Sequence, residues 1–256
     1  MKLGIIQGRL SKPINGHIQE FPKETWENEF KLLNNLGLNH IEWIVTKKSF
    51  NENILKTDIK KYSNLISSVC CDHIIDENII HLEYLNEHLS PICEWSLKNN
   101  INSINIPLLE ESKITEENKE SLYKTLNIFS KKYKNLFFNF EIESDIETCL
   151  ELIKTNKNFF LVYDTGNITS CGFEHEDWIN KGFDFIRHVH LKDRTINPIK
   201  TVEPLTGDTD FKKIFDLLKK KNYNYNYTIQ TCRGITGYEF ETIKKHTNIF
   251  KKLHDS

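Results

Sequence analysis

Four polar side chains close short apolar runs in the second half of the chain. Glu141 ends Leu136–Glu141, Asp164 follows Phe159–Tyr163, His190 sits in Arg187–Leu191, and Gln230 ends Tyr225–Gln230. Two carboxylates, an imidazole and an amide oxygen form a mixed oxygen and nitrogen donor set. Such donors suit one divalent cation, Mn²⁺, Mg²⁺, Co²⁺ or Zn²⁺. Only two of the four are negative, so the set predicts weaker binding than an all-acidic site. His188 and His190 alternate and therefore share one face of a strand, one as a ligand and the other at substrate. Arg9, Lys192, Arg194 and Arg233 lie near the same run ends. Arginine offers a rigid fork for a carboxylate or phosphate, so these residues point to an anionic or polyhydroxylated ligand. Each residue alone has a plainer reading: a strand-end carboxylate caps a helix, and a rim arginine pairs with a neighbouring acid. The recurrence at successive run ends is what favours chemistry.

The elements that must hold these residues are legible as eight apolar runs. They are Leu3–Ile6, His40–Ile44, Leu65–Cys71, Ile101–Ile106, Leu136–Glu141, Phe159–Tyr163, Arg187–Leu191 and Tyr225–Gln230. They start about every 32 residues, near the size of one strand–helix unit. Most are continuously apolar, as strands covered on both faces are. Between them Trp26, Phe30, Leu33 and Leu36 recur at helical spacing, as do Leu122, Leu126 and Phe129, and Phe211, Ile214, Phe215 and Leu218. Asp208 or Asp210 is placed to cap the last of these, and a final helix is expected at Tyr238–Leu253. The pattern predicts a single-domain α/β protein, a (β/α)8 TIM barrel over residues 1–256, with its active site at the C-terminal ends of the strands. A doubly wound open sheet is the alternative, but the chain has no G-x-G-x-x-G or G-x-x-x-x-G-K loop. Neighbouring strands lie about 4.8 Å apart, so side chains ending adjacent strands converge. The other strand ends offer Gln7, Arg9, Glu42, Asp72, His73 and Glu143. Arg194–Asp208 reads as the longest structureless stretch. Trp43 reads mainly as core, with a sugar-stacking face as the lesser expectation.

Composition excludes other classes. Lys plus Arg is 34 and Asp plus Glu is 36, a net charge of -2, without the basic excess of a nucleic-acid binder. No apolar run approaches the roughly 20 residues of a membrane span. Met1–Gln7 turns polar too soon for a signal peptide. The six cysteines include no C-x-x-C pair, so reduced thiols and a cytoplasmic location are expected.

The motifs also carry a resemblance. Gly4-Ile5-Ile6-Gln7-Gly8-Arg9-Leu10-Ser11, Ile41-Glu42-Trp43-Ile44, Asp164-Thr165-Gly166-Asn167, His188-Val189-His190-Leu191-Lys192-Asp193-Arg194 and Ile229-Gln230-Thr231-Cys232-Arg233 resemble the xylose-isomerase-like TIM barrels, the sugar phosphate isomerases and epimerases. The likeness extends to a subgroup associated with surface-polysaccharide sugar biosynthesis. In that family a Glu, an Asp, a His and a second Glu bind one divalent metal, which implies Glu141, Asp164, His190 and position 230 here. Two glutamates on opposite faces of a ketose exchange its α-proton, and the metal stabilises the enediolate. Gln230 departs from this pattern, because an amide cannot take that proton. Asn167 departs too, standing where the epimerases have a histidine.

The resemblance implies a metal-dependent isomerase or epimerase acting on a sugar, sugar phosphate or other anionic sugar derivative. Glu141 is the leading base, with Lys192, His188 or Glu143 as the second group, and Gln7, Arg9, Asn167, Arg194 and Arg233 as substrate contacts. Elimination by a sugar dehydratase or lyase on the same barrel is the alternative. A barrel that binds sugar without turnover, and an abasic-site endonuclease, are remoter ones. No nucleic-acid or membrane partner is expected, and a homo-oligomer is compatible with the family.

Overall fold

The computed structural model describes residues 1–256, the side chains of Leu55 and Lys56 excepted. Ten strands and ten α-helices alternate along it. The strands are β1 (Lys2–Ile6), β2 (His40–Ile44), β3 (Ile66–Cys70), β4 (Ser103–Leu108), β5 (Phe137–Ile142), β6 (Phe159–Asp164), β7 (Ile186–Leu191), β8 (Asp193–Thr195), β9 (Lys200–Val202) and β10 (Asn226–Ile229). The helices are α1 (Trp26–Leu36), α2 (Phe50–Lys56), α3 (Leu82–His88), α4 (Ser90–Lys98), α5 (Lys119–Ser130), α6 (Ile146–Ile153), α7 (Thr165–Ser170), α8 (His175–Gly182), α9 (Phe211–Lys220) and α10 (Glu239–Asp255). Eight parallel strands close into a barrel in the order β1-β10-β7-β6-β5-β4-β3-β2. Closure excludes the open doubly wound sheet. All eight expected strands are present, and the helical stripes fall on α1, α5, α9 and α10.

The apolar runs form strands because both of their faces are covered. One face packs on the helices. Trp43 is fully buried there, against Phe21, Trp26, Phe30 and Trp95. That corrects the sugar-stacking expectation: Glu42 points into the barrel, so its neighbour Trp43 faces away from the mouth. The inner face is polar at several levels. Asn139 donates to Asn105 Oδ1 and Asn105 donates to Ser68 Oγ, a ladder across β5, β4 and β3. At the N-terminal ends of the strands the Arg187 guanidinium stacks on Phe137 and Phe160, 4.1 and 3.7 Å from their centroids. This cation–π plate closes the end away from the candidate site.

The stretch Arg194–Asp208 is not structureless. β8 and β9 pair antiparallel, with Asp193 opposite Val202. Two carboxylates fold it back. Asp193 accepts from the N–H groups of Gly207 and Thr209, and Asp208 accepts from that of Ile196. Strands of three residues are too short to leave a periodic signal. Asp210, rather than Asp208, caps α9 by accepting from Lys213 N.

Candidate metal centre at the barrel mouth

Strand register brings the predicted ligands together. Asp164 pairs with His190 across β6 and β7, and Glu141 sits opposite Val162, two residues before Asp164. Gln230 follows β10, and its N–H donates to Leu191 O, one residue beyond His190 on the adjacent strand. Glu141, Asp164 and His190 offer ligand atoms that all lie within 4.8 Å of one another. All four predicted ligands are buried.

The donor set fits a cation because its polar atoms are not satisfied by the protein. Asp164 caps α7 with Oδ1, which accepts from Asn167 N at 2.9 Å. Its Oδ2 is buried without a hydrogen-bond partner. One oxygen of that carboxylate is thus committed to the cap, and the other is left for a ligand role. His190 Nδ1 and Gln230 Oε1 are likewise buried and unpartnered. Nδ1 lies 3.1 Å from Glu141 Oε2 and 3.8 Å from Asp164 Oδ2, without hydrogen-bond alignment. An orphaned buried polar atom costs about 1–3 kcal/mol. His190 Nδ1 and Gln230 Oε1 are such atoms, and Asp164 Oδ2 has only the Lys192 ammonium beside it, which is the donor state an incoming ion needs.

Lys192 supplies positive charge beside this cluster. Its Nζ is 2.8 Å from Asp164 Oδ2, within ion-pair distance but off the hydrogen-bond angle, and 3.4 Å from Asn167 Oδ1. Gly166 makes room for its stem, since a Cβ there would sit 2.9 Å from Lys192 Cγ. Asn167 fixes the base candidate by donating from Nδ2 to Glu141 Oε1 at 2.7 Å. Burial alone would raise the Glu141 carboxyl, but His190 and then Lys192 hold it down at about 2. Burial would lower the His190 imidazole. The charges of Glu42 and Glu141 outweigh it and raise the group to about 10.

The other predicted residues take different places. His188 is buried one layer deeper than His190, its Nε2 2.9 Å from Glu42 Oε2 and 2.6 Å from Thr228 Oγ1. Gln7 accepts from Ile44 N and keeps a buried, unpartnered Nε2. Arg194 reaches Ser170 Oγ at 3.1 Å and Glu143 at 3.4 Å on the rim. Arg9 and Arg233 spend most of their donors on the loop after β1. Arg9 donates to Thr231 O and Ile18 O, and Arg233 to Gly8 O, Ser11 O and Ile18 O. Gly8 enters that loop at φ +91, where a Cβ would meet Glu20 O at 2.6 Å. From Arg9 the strap continues through Gln19 to Asp72 beyond β3. Burial, with the charge of Glu141 next, pushes the Asp72 carboxyl up to about 7.

Two residues had no role assigned from sequence. Glu42 is fully buried inside the barrel and contacts both His188 and His190. Glu29, in α1, accepts from Gly8 N, Leu10 N and Ser11 Oγ and anchors the first loop. A carboxylate set between Ile41 and Trp43 in a short apolar stretch was the one available signal for Glu42.

A closed parallel barrel with buried carboxylates and an imidazole converging at its C-terminal mouth defines a TIM-barrel protein with a candidate metal centre. Residues 131–247 match the family model described as Xylose isomerase-like TIM barrel, and the whole chain shares its fold with solved structures such as that of a xylose isomerase domain protein from Planctomyces limnophilus, at a TM-score of 0.74 and 12% identity. An inosose dehydratase of Clostridium tetani (strain Massachusetts / E88) is 29% identical over 174 residues, 57% of this chain and 58% of that protein. The chain thus spans little more than half the length of the curated relatives it matches. The structure of an L-ribulose 3-epimerase superposes with a TM-score of 0.76 at 14% identity, covering 99% of this chain and 94% of that one. The structure of the IOLI protein with a bound zinc atom superposes with a TM-score of 0.72 at 16% identity, covering 99% and 96%. At such identities these two likenesses are of fold.

Proposed function

We propose that this barrel is a divalent-metal-dependent isomerase or epimerase of a polyhydroxylated carbonyl compound, a sugar or sugar derivative, acting through an enediolate. The observation that carries this reading is the buried cluster of Glu141, Asp164 and His190, whose ligand atoms lie within 4.8 Å of one another, with atoms on Asp164, His190 and the strand-end Gln230 that no hydrogen bond satisfies. Glu141, Asp164, His190 and Gln230 would hold the ion. When bound, a divalent cation supplies Lewis-acid polarisation of a carbonyl and charge to offset an enediolate.

The residues of the chain then divide the work. Glu141 takes the proton from the carbon next to the carbonyl. Asn167 holds its Oε1, which keeps the carboxylate in one orientation. His190 and Lys192 hold its carboxyl below the usual range, which keeps it ionised and ready to accept a proton. Lys192 is the proton partner for the substrate oxygens, and Arg194 and Gln7 are contacts for its substituents. Arg9 and Arg233 hold the roof of the site through backbone carbonyls, which leaves Arg194 as the arginine for an anionic group.

A second reading is dehydration, and Gln230 favours it. Without a second carboxylate on the opposite face, the α-proton removed by Glu141 has no matching base to return it. Loss of a β-hydroxyl, with its proton supplied by the Lys192 ammonium, completes an elimination as water and an unsaturated ketone. The dehydratase name of the curated relatives points the same way.

Incubation of the Mn²⁺-loaded protein in D2O with a panel of ketoses, aldoses and inososes tests both. Deuterium at the carbon next to the carbonyl in a rearranged sugar is the expected result. A product lighter by one water selects the second reading. No deuterium incorporation and no water loss across the panel, in protein shown to hold its ion, contradicts both.

A further inference from the structure

We propose that Glu42 is a positioning residue that presents His190 Nδ1, rather than Nε2, to the metal ion. Glu42 lies in β2, three strands around the barrel from β7 and 148 residues away in sequence. It is fully buried, and a carboxylate taken out of water costs several kcal/mol unless it is well partnered. Its partners are imidazoles. His190 Nε2 lies 3.1 Å from each Glu42 oxygen, and His188 Nε2 lies 2.9 Å from Oε2.

The geometry sorts the two nitrogens of His190. A carboxylate only accepts, so Nε2 must carry the hydrogen it donates. When an incoming ion displaces the other proton of the imidazolium, Nδ1 is the nitrogen left with a lone pair to give, and it is the one facing Glu141 Oε2 and Asp164 Oδ2 with no aligned hydrogen bond. A carboxylate behind a ligating imidazole fixes ring orientation and raises its basicity, and such partners are worth about 10–100-fold in metal affinity. His188 supports the arrangement from below, with its Nε2 shared between Glu42 and Thr228 Oγ1. The inference rests on the proposed metal site, and Glu42 itself is not one of that site's ligands.

There is a competing arrangement within the same residues. Glu42, His188 and His190 also bring their ligand atoms within 4.8 Å of one another. An ion there would take Nε2 and reverse the roles of the two ring nitrogens. Their 2.9–3.1 Å spacing is that of hydrogen bonds, and among their atoms facing each other none is orphaned, whereas the outer cluster leaves Nδ1 and Asp164 Oδ2 without a hydrogen bond.

Two measurements decide the matter. The first is the ring ¹⁵N spectrum of the wild-type protein loaded with Zn²⁺. His190 is expected to show Nε2 protonated and Nδ1 metal-bound, and metal on Nε2 overturns the proposal. The second is Zn²⁺ and Mn²⁺ affinity by titration calorimetry for wild type, Glu42→Gln, Glu42→Ala and Asp164→Ala. Glu42→Ala is expected to bind about 10–100-fold more weakly. Glu42→Gln, which keeps one acceptor, should recover most of that loss. Wild-type affinity in Glu42→Ala, with binding lost in Asp164→Ala, overturns the role of Glu42 and leaves the site standing. Absence of binding in the wild type overturns the site itself. If Glu42→Ala does not fold, the ¹⁵N spectrum and Glu42→Gln still decide.

Discussion

The two halves of the barrel contribute differently to its mouth. The half formed by β5, β6, β7 and β10 supplies every candidate ligand, together with Lys192 and Asn167. The half formed by β1 to β4 supplies no ligand and much of the support. Glu42 backs His190, Asp72 receives the strap from Gln19, and the loop after β1 roofs the site under the hold of Arg9, Arg233 and Glu29. The ligand half leaves buried atoms of Asp164, His190 and Gln230 without a hydrogen bond. In the support half the carboxylates of Glu42 and Glu29 meet donors at hydrogen-bond distance. A site built to bind must keep some polar atoms free, and the structure that keeps them free must be satisfied elsewhere.

Substitutions on the two sides should therefore separate ion binding from stability. The largest expected effect lies on the ligand side. His190→Ala should weaken Mn²⁺ binding by more than the roughly 100-fold that the loss of an orienting partner costs, as read by calorimetry, with the fold retained by circular dichroism. Retained affinity would dissolve the distinction between the halves.

On the support side, Glu29 should make stability depend on pH. Burial pushes its carboxyl from 4.5 up to about 7. Between those values the folded chain keeps a proton that the unfolded chain has lost, so stability falls as pH rises through this window. The contribution is fully present below about 4.5 and gone above about 7, a span of roughly 3 kcal/mol. Denaturant melts of wild type and Glu29→Gln from pH 4.5 to 8 should show their difference changing by that order. A constant difference would remove Glu29 from the loop's account.

Arg233→Ala removes the donor to three backbone carbonyls on the same loop. It should cost about 2 kcal/mol of stability while metal affinity changes by less than twofold. A large loss of affinity without loss of stability would instead make Arg233 part of the binding half. The smallest effect belongs to Gln230→Glu. A third negative ligand should tighten Mn²⁺ by about tenfold, or about 1.4 kcal/mol, and unchanged affinity would place position 230 outside the ion's reach.

The same contrast explains what could be read from sequence. β2 is legible to the residue because Ile41, Trp43 and Ile44 mark a short run that the barrel buries on both faces. Glu141, Asp164, His190 and Gln230 are legible as candidates because a barrel gathers whatever ends its strands. Glu42 was visible as a residue but not as a partner, since nothing local to β2 announces an imidazole 148 positions away. Positive charge at positions 9, 194 and 233 was equally visible. What the Arg9 and Arg233 guanidiniums meet was not, because backbone carbonyls of a folded loop leave no mark in the sequence. The β8–β9 hairpin escaped notice because its pairing depends on Asp193 and Asp208 reaching backbone N–H groups, not on alternation.

The most direct test of the central claim is the metal content of the protein, purified without chelators or an affinity tag, beside that of Asp164→Ala. The cluster predicts close to one divalent ion per chain in the wild type and almost none in the variant. No ion in the wild type after equilibration with Mn²⁺ or Zn²⁺, or an ion that persists in Asp164→Ala, would contradict it.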